Sequence, residues 1–371
     1  MSPPETALAC DTCLRRSRLI ADLAPRITGL LGSRAVRAPG LLALADEDLI
    51  ALAGGRGKQA ARDRLARFDA SAERARLKDA RVSAVCRHAG HYPPQLTELP
   101  DPPAVLFCVG RAGTLRVLCE QPAVAIVGTR RPSPYGDEVA YALGRGLGAA
   151  GVTVVSGLAL GIDATAHRGC LDGWGTPAAV LACGPERAYP RRHRRLHERV
   201  AERGVVLSEL PPGTGAQRWS FPARNRIMAG LARLTLVVEA ADPSGSLITA
   251  AFARDLGRAV AAVPGRVTAR MAAGTNGLLR DGAIPVTSTE DVLDELYGVG
   301  LRPGRPVGAG PPPADPALLD VLDAVEGGSG VDEIVGRTGS SPAEVRAALG
   351  RLEAEGHVVR GMLGGWERAA M

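Results

Sequence analysis

The chain has 371 residues, 46% of them hydrophobic, and this length predicts two or three domains with cores of their own. Its formal net charge of +6 is carried almost entirely by arginine, because Lys58 and Lys78 are its only lysines. The sequence has no apolar stretch of membrane-helix length and no signal-peptide pattern at its N-terminus. We therefore expect a cytoplasmic protein without membrane contacts.

Residues 1–85 are predicted to form a helical domain. Apolar side chains recur there with helical spacing, and short glycine turns separate the runs. The pattern is similar to helix-hairpin-helix or SAM-like modules, whose turns present N–H groups to DNA phosphates, and it suits equally a helical bundle that only packs. The periodic positions are Leu19, Leu23, Ile27, Leu41, Leu44, Leu49 and Leu52.

The same segment contains a C-x-x-C motif formed by Cys10 and Cys13. A structural zinc ion would need two further ligands at suitable spacing, and none follows in this segment. A thioredoxin-like redox motif would have to follow a strand, and no strand is predicted before Cys10. We therefore predict no metal site from the sequence, and whether the two cysteines matter stays open.

Residues 86–297 alternate between short apolar runs and amphipathic stretches, which predicts an α/β domain. Runs this apolar are typical of strands buried on both faces, and hence of a parallel sheet covered by helices. The expected fold class is an extended Rossmann-like, doubly wound sheet. The predicted strands span 124–127, 152–156, 178–182, 205–208, 234–239 and 259–263.

The C-terminal part is predicted to be a linker and a small domain. Residues 298–316 are rich in proline and glycine, a composition that does not sustain helices or sheets. Residues 317–371 are expected to form three helices and a short hairpin, similar to a winged-helix domain. Ser341, before Pro342 and Glu344, suits the N-cap of the third helix. Duplex DNA and protein both remain open as its partner.

Candidate binding residues follow the carboxyl ends of predicted strands, where ligands lie in doubly wound sheets. Glycine turns and helix N-termini there present free N–H groups to an anion, and arginine adds a full charge. These turns give the candidates Gly128, Thr129, Arg130, Arg131, Ser156, Gly157, Ser244, Gly245 and Ser246.

Two further segments add cations and aromatic rings. A basic run predicts an electrostatic track for a phosphodiester chain, and a later group combines guanidinium, amide and rings suited to single-stranded nucleic acid. The basic run contains Arg191, Arg192, Arg194 and Arg195. The later group contains Trp219, Phe221, Arg224, Asn225 and Arg226.

The sequence predicts no catalytic residue and no cofactor. Asp163 and His167 share a helix face but lack a third ligand or a nucleophile, so structural roles are favoured. A G-x-G-x-x-G match over 146–151 ends a helix instead of opening one. A Walker A lysine is missing, and so is the P-G-G-x-G-T-x-x-E stretch of nucleotide hydrolases, because Arg266 follows Pro264 and Gly265. We therefore expect a protein that is not an enzyme.

Several stretches taken together make the sequence similar to the DprA/Smf family, and they span about half of the chain in order. Thr129 stands where a serine is common, and arginines and a histidine follow Tyr189 where lysine or asparagine is often seen. The matching stretches are AIVGTRRPSPYG from Ala125, VVSGLALGIDATAH from Val154, YPRRHRRL from Tyr189, SEL from Ser208, FPARNRIMAGL from Phe221, VVEAADPSGSLITA from Val237, VPG from Val263, and the segment 274–283.

This resemblance implies an extended Rossmann domain, a homodimer, and single-stranded DNA binding without catalytic turnover. It implies protection of incoming DNA and loading of the RecA recombinase in natural transformation. Arg130, the basic run after Tyr189 and the stretch 224–226 are the DNA contacts that it indicates. The alternative is a Rossmann-like protein that binds a free nucleotide as a signal or hydrolyses one. The sequence does not identify the dimer surface or the surface for RecA.

Overall fold

The computed structural model describes residues 9–31, 39–111, 113–300, 315–325, 330–354, 357–360 and 365–368. The chain divides into two compact units, Met1–Val299 and Gly300–Met371. Most of the predicted linker, residues 301–314, lies outside the described residues. Within the described part, no helix is both long and apolar enough to cross a membrane.

The first unit begins with helices, as the sequence predicts. Leu23 and Ile27 of the first helix and Leu49 and Ile50 of the third are fully buried in one core, which Leu210, Trp219 and Ala223 complete from later in the chain. Leu52, placed on the same periodic pattern, is instead 53% exposed. The helices are α1 (Asp11–Leu31), α2 (Pro39–Ala43), α3 (Asp46–Ala53), α4 (Lys58–Ala66) and α5 (Ala70–Asp79).

A nine-stranded sheet forms the centre of this unit. All six predicted strands are confirmed, and they pair in parallel. The prediction missed three strands: the first two, which pair antiparallel with each other at one edge, and the last, of two residues, at the other edge. In chain order the strands are β1 (Ser83–Cys86), β2 (Val105–Gly110), β3 (Ala123–Val127), β4 (Thr153–Ser156), β5 (Pro177–Val180), β6 (Val205–Ser208), β7 (Leu234–Val237), β8 (Ala259–Ala262) and β9 (Ile284–Pro285).

Helices cover both faces of the sheet, which confirms the doubly wound fold. Side chains alternate along each strand, so Ala125 and Val127 of β3 belong to one core and Val124 and Ile126 to the other. The helices are α6 (Gly113–Glu120), α7 (Pro134–Ala149), α8 (Ile162–Asp172), α9 (Arg194–Arg203), α10 (Ser220–Leu231), α11 (Gly245–Asp255), α12 (Ala273–Arg280) and α13 (Thr289–Tyr297).

The order of the strands creates a switch point at β3. The order across the sheet is β1-β2-β6-β5-β4-β3-β7-β8-β9, so the chain fills one side of β3 with β4, β5 and β6 and then crosses to the other side with β7. Connections leave a crevice at such a point, beyond the carboxyl ends of the strands. The fold therefore positions a ligand site next to the ends of β3, β4 and β7.

The second unit is a small winged-helix domain. Ser341 and Glu344 form the predicted cap, since the Glu344 N–H donates to the Ser341 hydroxyl (3.3 Å) and the Ser341 N–H to the Glu344 carboxylate (2.9 Å). Ile334, Leu349 and Trp366 are buried in its core. Its elements are α14 (Pro316–Ala324), α15 (Val331–Thr338), α16 (Pro342–Ala354), β10 (Val358–Arg360) and β11 (Trp366–Arg368), the two strands pairing antiparallel.

Candidate nucleic-acid interface

A cavity of about 410 Å³ opens at the switch point. Its walls come from the turn after β3, the N-terminus of α10 and the N-terminus of α11. Eight of the predicted binding residues line it: Gly128, Thr129, Arg130, Arg224, Asn225, Ser244, Gly245 and Ser246. Residues that are far apart in sequence thus meet in one crevice.

The turn after β3 is held by close backbone contacts. A Cβ on Gly128 would lie 2.6 Å from Ile162 and 2.9 Å from the carbonyl of Glu239, so only glycine fits. The Thr129 N–H donates to that same carbonyl (2.7 Å), and the Thr129 carbonyl accepts from the Ile162 N–H (3.2 Å). These contacts fix Arg130 at the mouth of the cavity.

Glu239 holds the same turn through its side chain. Its carboxylate accepts from the N–H of Ser133 (2.9 Å) and from the Ser133 hydroxyl (2.6 Å), while Ser133 caps α7. Glu239 is buried, and Gly136 leaves room for its carboxylate because a Cβ there would clash with it. The residue that the sequence placed at the end of a strand is therefore a positioning group for the Gly128 turn.

Arg130, Phe221 and Tyr189 form a cluster of one cation and two aromatic rings at the crevice mouth. The Arg130 guanidinium carbon lies 5.3 Å from the ring centroid of Phe221, and the Phe221 and Tyr189 centroids are 5.5 Å apart at 52°. Tyr189 is 45% exposed. Arg130, Phe221 and Tyr189 line a second, smaller cavity of about 80 Å³ next to the first. Phe221 is half-buried, so Tyr189 is the more accessible of the two rings. Aromatic rings beside guanidinium groups are the usual platform for stacked bases.

Trp219 does not belong to this platform, and its prediction as a stacking residue is wrong. It is 3% exposed, and its indole Nε1–H donates to the carbonyl of Ala24 in α1 (2.9 Å). The ring completes the core of the helical segment. The second ring beside Phe221 is that of Tyr189, not Trp219. Tyr189 is distant from Phe221 in the sequence, and only the fold brings the two rings together.

Arg224 lies beneath the crevice, not on its surface. One guanidinium nitrogen donates to the carbonyls of Gly157 (2.7 Å) and Val180 (2.8 Å), which ties α10 to the ends of β4 and β5. Gly157 must be glycine here, because a Cβ would overlap this guanidinium. Burial lowers the pKa of Arg224, and the nearby Asp163 carboxylate opposes that shift. Arg224 therefore supplies positive charge to the floor of both cavities.

Asn225 connects the two helices that wall the crevice. Its side-chain amide donates to the carbonyl of Gly245 at the start of α11 (3.2 Å), and its oxygen accepts from Arg224 Nε (3.1 Å). The amide lines the cavity, but its bonds serve the protein framework.

The structure contradicts the prediction that Arg226 contacts DNA. The Arg226 side chain is 2% exposed and donates to the carboxylates of Asp101 (2.9 Å) and Glu209 (2.7 Å). Burial raises the pKa of Asp101 to about 6, against the lowering effect of Arg226. The residue is a buried counter-ion for two acids. Sequence reasoning did not reveal this role because Asp101 lies 125 residues away.

The structure also contradicts the prediction that Ser156 contacts DNA. Ser156 is fully buried at the end of β4, and its hydroxyl donates to the carbonyl of Ile126 (2.6 Å). Asp163 and His167 are buried in α8 below it, as the structural interpretation requires. The Asp163 carboxylate accepts from the Gly157 N–H (3.1 Å).

The N-terminus of α11 offers a site for an anion. Ser244 caps the helix, and its hydroxyl lies 2.8 Å from that of Ser246, while Gly245 is exposed. One turn later, the buried Thr249 hydroxyl also lines the cavity, and no described residue accepts or donates a hydrogen bond to it. The positive end of the helix dipole together with an unpartnered hydroxyl favours a phosphate.

Exposed arginines extend the positive surface beyond the crevice. The basic run forms a short 3-10 helix, Arg191–His193, and the first turn of α9, and the His193 ring bonds to the Leu158 carbonyl (3.0 Å) in the loop after β4. Within the basic run, Arg194 forms an ion pair with Glu198 at 3.8 Å. The exposed arginines are Arg130, Arg131, Arg191, Arg192, Arg194 and Arg195.

Away from the crevice, the C-x-x-C motif is not isolated as the sequence suggested. Cys86 at the end of β1 and His88 in the following turn lie next to Cys10 and Cys13. These two ligands do not follow the motif in the N-terminal segment, because a strand and turn more than 70 residues away supply them.

Comparisons with known proteins agree with this organisation. The model of the DNA recombination-mediator protein A family matches residues 83–297, and the model of the DprA winged helix domain matches residues 305–361. The chain is 43% identical over 264 residues to the putative DNA processing protein DprA of Mycobacterium tuberculosis, covering 68% of this chain and 66% of that protein, just under two thirds of its length. It is 36% identical to the Synechocystis protein Smf over 72% of this chain and 75% of that protein.

Two solved structures extend the match to three dimensions. DNA processing protein A from Streptococcus pneumoniae superposes with a TM-score of 0.61 at 33% identity, over 77% of this chain and 96% of that one. DNA processing protein A from Helicobacter pylori, described for its single-stranded DNA binding mode, superposes with a TM-score of 0.52 at 30% identity, over 58% of this chain and 95% of that one. With a family match over more than half of its length, this chain belongs to the DNA recombination-mediator protein A family, the DprA/Smf family.

Proposed function

We propose that the crevice at the switch point and its basic rim bind single-stranded DNA. The observation that carries this proposal is the cluster of Arg130, Phe221 and Tyr189 beside the N-terminus of α11. It combines one exposed and one half-buried ring for bases with cations and a helix N-terminus for phosphates. The similarity to the Helicobacter pylori protein, at 30% identity, supports it.

The proposed binding mode divides the residues by task. Backbone N–H groups and hydroxyls at the two helix-opening turns take phosphates, the rings of Phe221 and Tyr189 take bases, and exposed arginines follow the backbone of the strand. Arg224 and Asn225 hold the framework. The phosphate contacts are Gly128, Thr129, Arg130, Arg131, Arg191, Arg192, Arg194, Arg195, Ser244, Gly245 and Ser246.

We propose further that the protein acts by binding and handing over DNA, without turnover. Membership of the DprA/Smf family supports a role in protecting incoming single strands and loading the RecA recombinase on them, and a homodimer as the working form. A loading assay on oligonucleotides coated with single-strand-binding protein tests this role. Faster RecA nucleation in the presence of the protein is the expected result, and an unchanged rate contradicts the loading role.

The second candidate is the binding of a free nucleotide in the same crevice. The cavity of about 410 Å³ and the unpartnered Thr249 hydroxyl favour it, because a mononucleotide fits a space of that size with its phosphate at α11. It differs from the first candidate in how affinity should depend on strand length.

Fluorescence anisotropy separates the two candidates. Labelled poly-dT of several lengths and a matched duplex are titrated at two salt concentrations, with deoxynucleotide monophosphates as competitors. DNA binding predicts affinity that rises with length, falls with salt and favours the single strand. Displacement of the oligonucleotide by a mononucleotide at comparable concentration, without length dependence, supports the nucleotide site instead.

A further inference from the structure

Four metal-binding side chains converge away from the crevice. Cys10, Cys13, Cys86 and His88 place their ligand atoms within 4.8 Å of one another. The His88 Nδ1 atom lies 3.5 Å from the sulfur of Cys10 and 3.5 Å from that of Cys13. Three sulfurs and one imidazole nitrogen form the ligand set of a structural zinc ion.

Rigid elements hold the four side chains. Cys10 directly precedes α1 and Cys13 lies in its first turn, fixed by the bond from the Leu14 N–H to the Cys10 carbonyl (3.0 Å). Cys86 ends β1 and pairs with Val105 of β2. The Ala89 N–H donates to the Cys86 carbonyl (2.9 Å), closing the turn that carries His88. Each half of the cluster is thus preformed in its own local structure.

The distances from His88 to two of the sulfurs agree with tetrahedral coordination. Zinc bonds of about 2.3 Å to sulfur and 2.0–2.1 Å to nitrogen put the ligand atoms about 3.8 Å apart for two sulfurs and about 3.6 Å apart for sulfur and nitrogen. The two distances of 3.5 Å from His88 agree with this geometry.

Hydrogen bonding alone does not account for the arrangement. One imidazole nitrogen carries a single lone pair or a single hydrogen, so it cannot satisfy two thiols equally. A disulfide would join two of the sulfurs and leave the third cysteine and His88 without a role. A central cation uses all four groups at once.

We propose that Cys10, Cys13, Cys86 and His88 bind one structural zinc ion. Four protein ligands leave no open position, which is the arrangement of structural rather than catalytic zinc. The ion would join the start of α1 to the edge strand of the sheet. It would lie beside the apolar cluster of Leu14, Leu77, Val82 and Phe107, which packs the helical segment against β1 and β2. Zinc binding would therefore stabilise the attachment of α1 to the sheet.

Metal analysis of the full-length protein, purified without chelators or added metal, tests the proposal. Mass spectrometry of the metal content should find one zinc ion per chain in the wild type. The double variant Cys10→Ser, Cys13→Ser and the single variant Cys86→Ser should lose it. Cys119→Ser, at a half-exposed cysteine outside the cluster, should keep it and is the matched control.

Cobalt substitution keeps the test decisive if the cysteine variants fold poorly. Wild-type protein in which Co²⁺ replaces the native ion should show thiolate-to-cobalt absorption and the visible bands of a tetrahedral site, and zinc should abolish them. A wild type that binds neither metal overturns the proposal, as does a Cys10–Cys13 disulfide found by peptide mapping. Zinc retained by the double variant also overturns it. None of these results depends on DNA binding.

Discussion

Arg130 is the residue that connects the two kinds of contact at the crevice, since it lies over the Phe221 ring and beside the Gly128 turn. Replacing it with alanine should weaken binding of single-stranded DNA and lower the slope of log affinity against log salt by about 0.7, the value for one lost phosphate contact. Anisotropy titrations at several salt concentrations measure both quantities.

Arg254→Ala is the matched control for that variant. Arg254 is exposed in the last turn of α11, at the opposite end of the helix from the crevice, and its loss changes the net charge equally. We expect the control to keep the wild-type salt slope. Equal slopes for Arg130→Ala and the wild type would show that Arg130 contacts no phosphate.

His167 gives the folded state a dependence on pH. Burial lowers its pKa from 6.5 to about 3, so below pH 6.5 the unfolded chain binds a proton that the folded chain does not. The free energy of unfolding should therefore fall as the pH drops from 6.5 towards 3, by about 1.4 kcal/mol per unit, or about 2 kcal/mol at pH 5. Urea unfolding of the wild type at pH 7 and pH 5 measures this loss.

The contribution of His167 is isolated by comparing variants. His167→Asn should lose about 2 kcal/mol less than the wild type between the two pH values, whatever its stability at pH 7. His91→Asn, at an exposed histidine, should keep the wild-type dependence. An identical acid response in His167→Asn and the wild type would assign the effect to other groups.

The sequence could predict where a site residue lies along a strand or turn, but not whether its side chain is buried. Arg130 was identifiable because a glycine turn after a strand fixes its place at the sheet edge. Arg226, two residues from Arg224 in the same basic stretch, was misassigned because charge in a sequence does not reveal burial. Its counter-ions Asp101 and Glu209 come from other parts of the chain, and only the fold brings them together.

At the scale of elements, α7 and α8 owe their close packing to glycine. A Cβ on Gly144 would lie 2.4 Å from the carbonyl of Ala166, and one on Gly148 would lie 2.7 Å from that of Cys170. The G-x-G-x-x-G match over 146–151 includes Gly148, so this glycine serves helix packing. As predicted, the match ends a helix, at the C-terminus of α7, but the sequence did not indicate this packing role.

Gly144→Ala should destabilise the protein by about 1–3 kcal/mol, because the new methyl group must displace backbone. Helix propensity alone predicts the opposite sign, a gain of up to about 1 kcal/mol. The control is Gly277→Ala in α12, where the added carbon meets no described atom within 4 Å apart from the helix's own backbone, and a neutral or stabilising effect is expected. Chemical denaturation of both variants measures the change in the free energy of unfolding. A stabilised Gly144→Ala would refute the packing argument.

The strands show where pattern reasoning succeeds and where it fails. The six predicted strands are nearly continuous apolar runs, because helices cover both of their faces. β9 has only two residues, and β1 and β9 each lie at an edge of the sheet with one neighbour. β2 runs antiparallel to β6, and the βαβ pattern that revealed the other strands does not apply to it. Edge strands therefore depend on tertiary pairing more than on local sequence.

At the scale of the whole molecule, the division at Val299 predicts an independent first unit. A fragment of residues 1–299 contains the entire crevice and its basic rim, and it should fold cooperatively on its own. Its affinity for single-stranded DNA should stay within about twofold of the full chain, the difference expected for independent parts. A much larger loss in anisotropy titrations would assign part of the binding to the winged-helix unit.

Trp219 gives this molecule an optical reporter of its own. The chain has three tryptophans: Trp174 is 44% exposed, Trp366 is buried in the winged-helix core, and Trp219 is buried between α1 and α10. Because α10 carries Phe221 and Arg224, loosening of the α1 contact would both shift the Trp219 emission to longer wavelength and disturb the crevice. Intrinsic fluorescence of a Trp174→Phe, Trp366→Phe protein would therefore follow, in real time and without a label, the mechanical link between the N-terminal helices and the proposed DNA-binding surface.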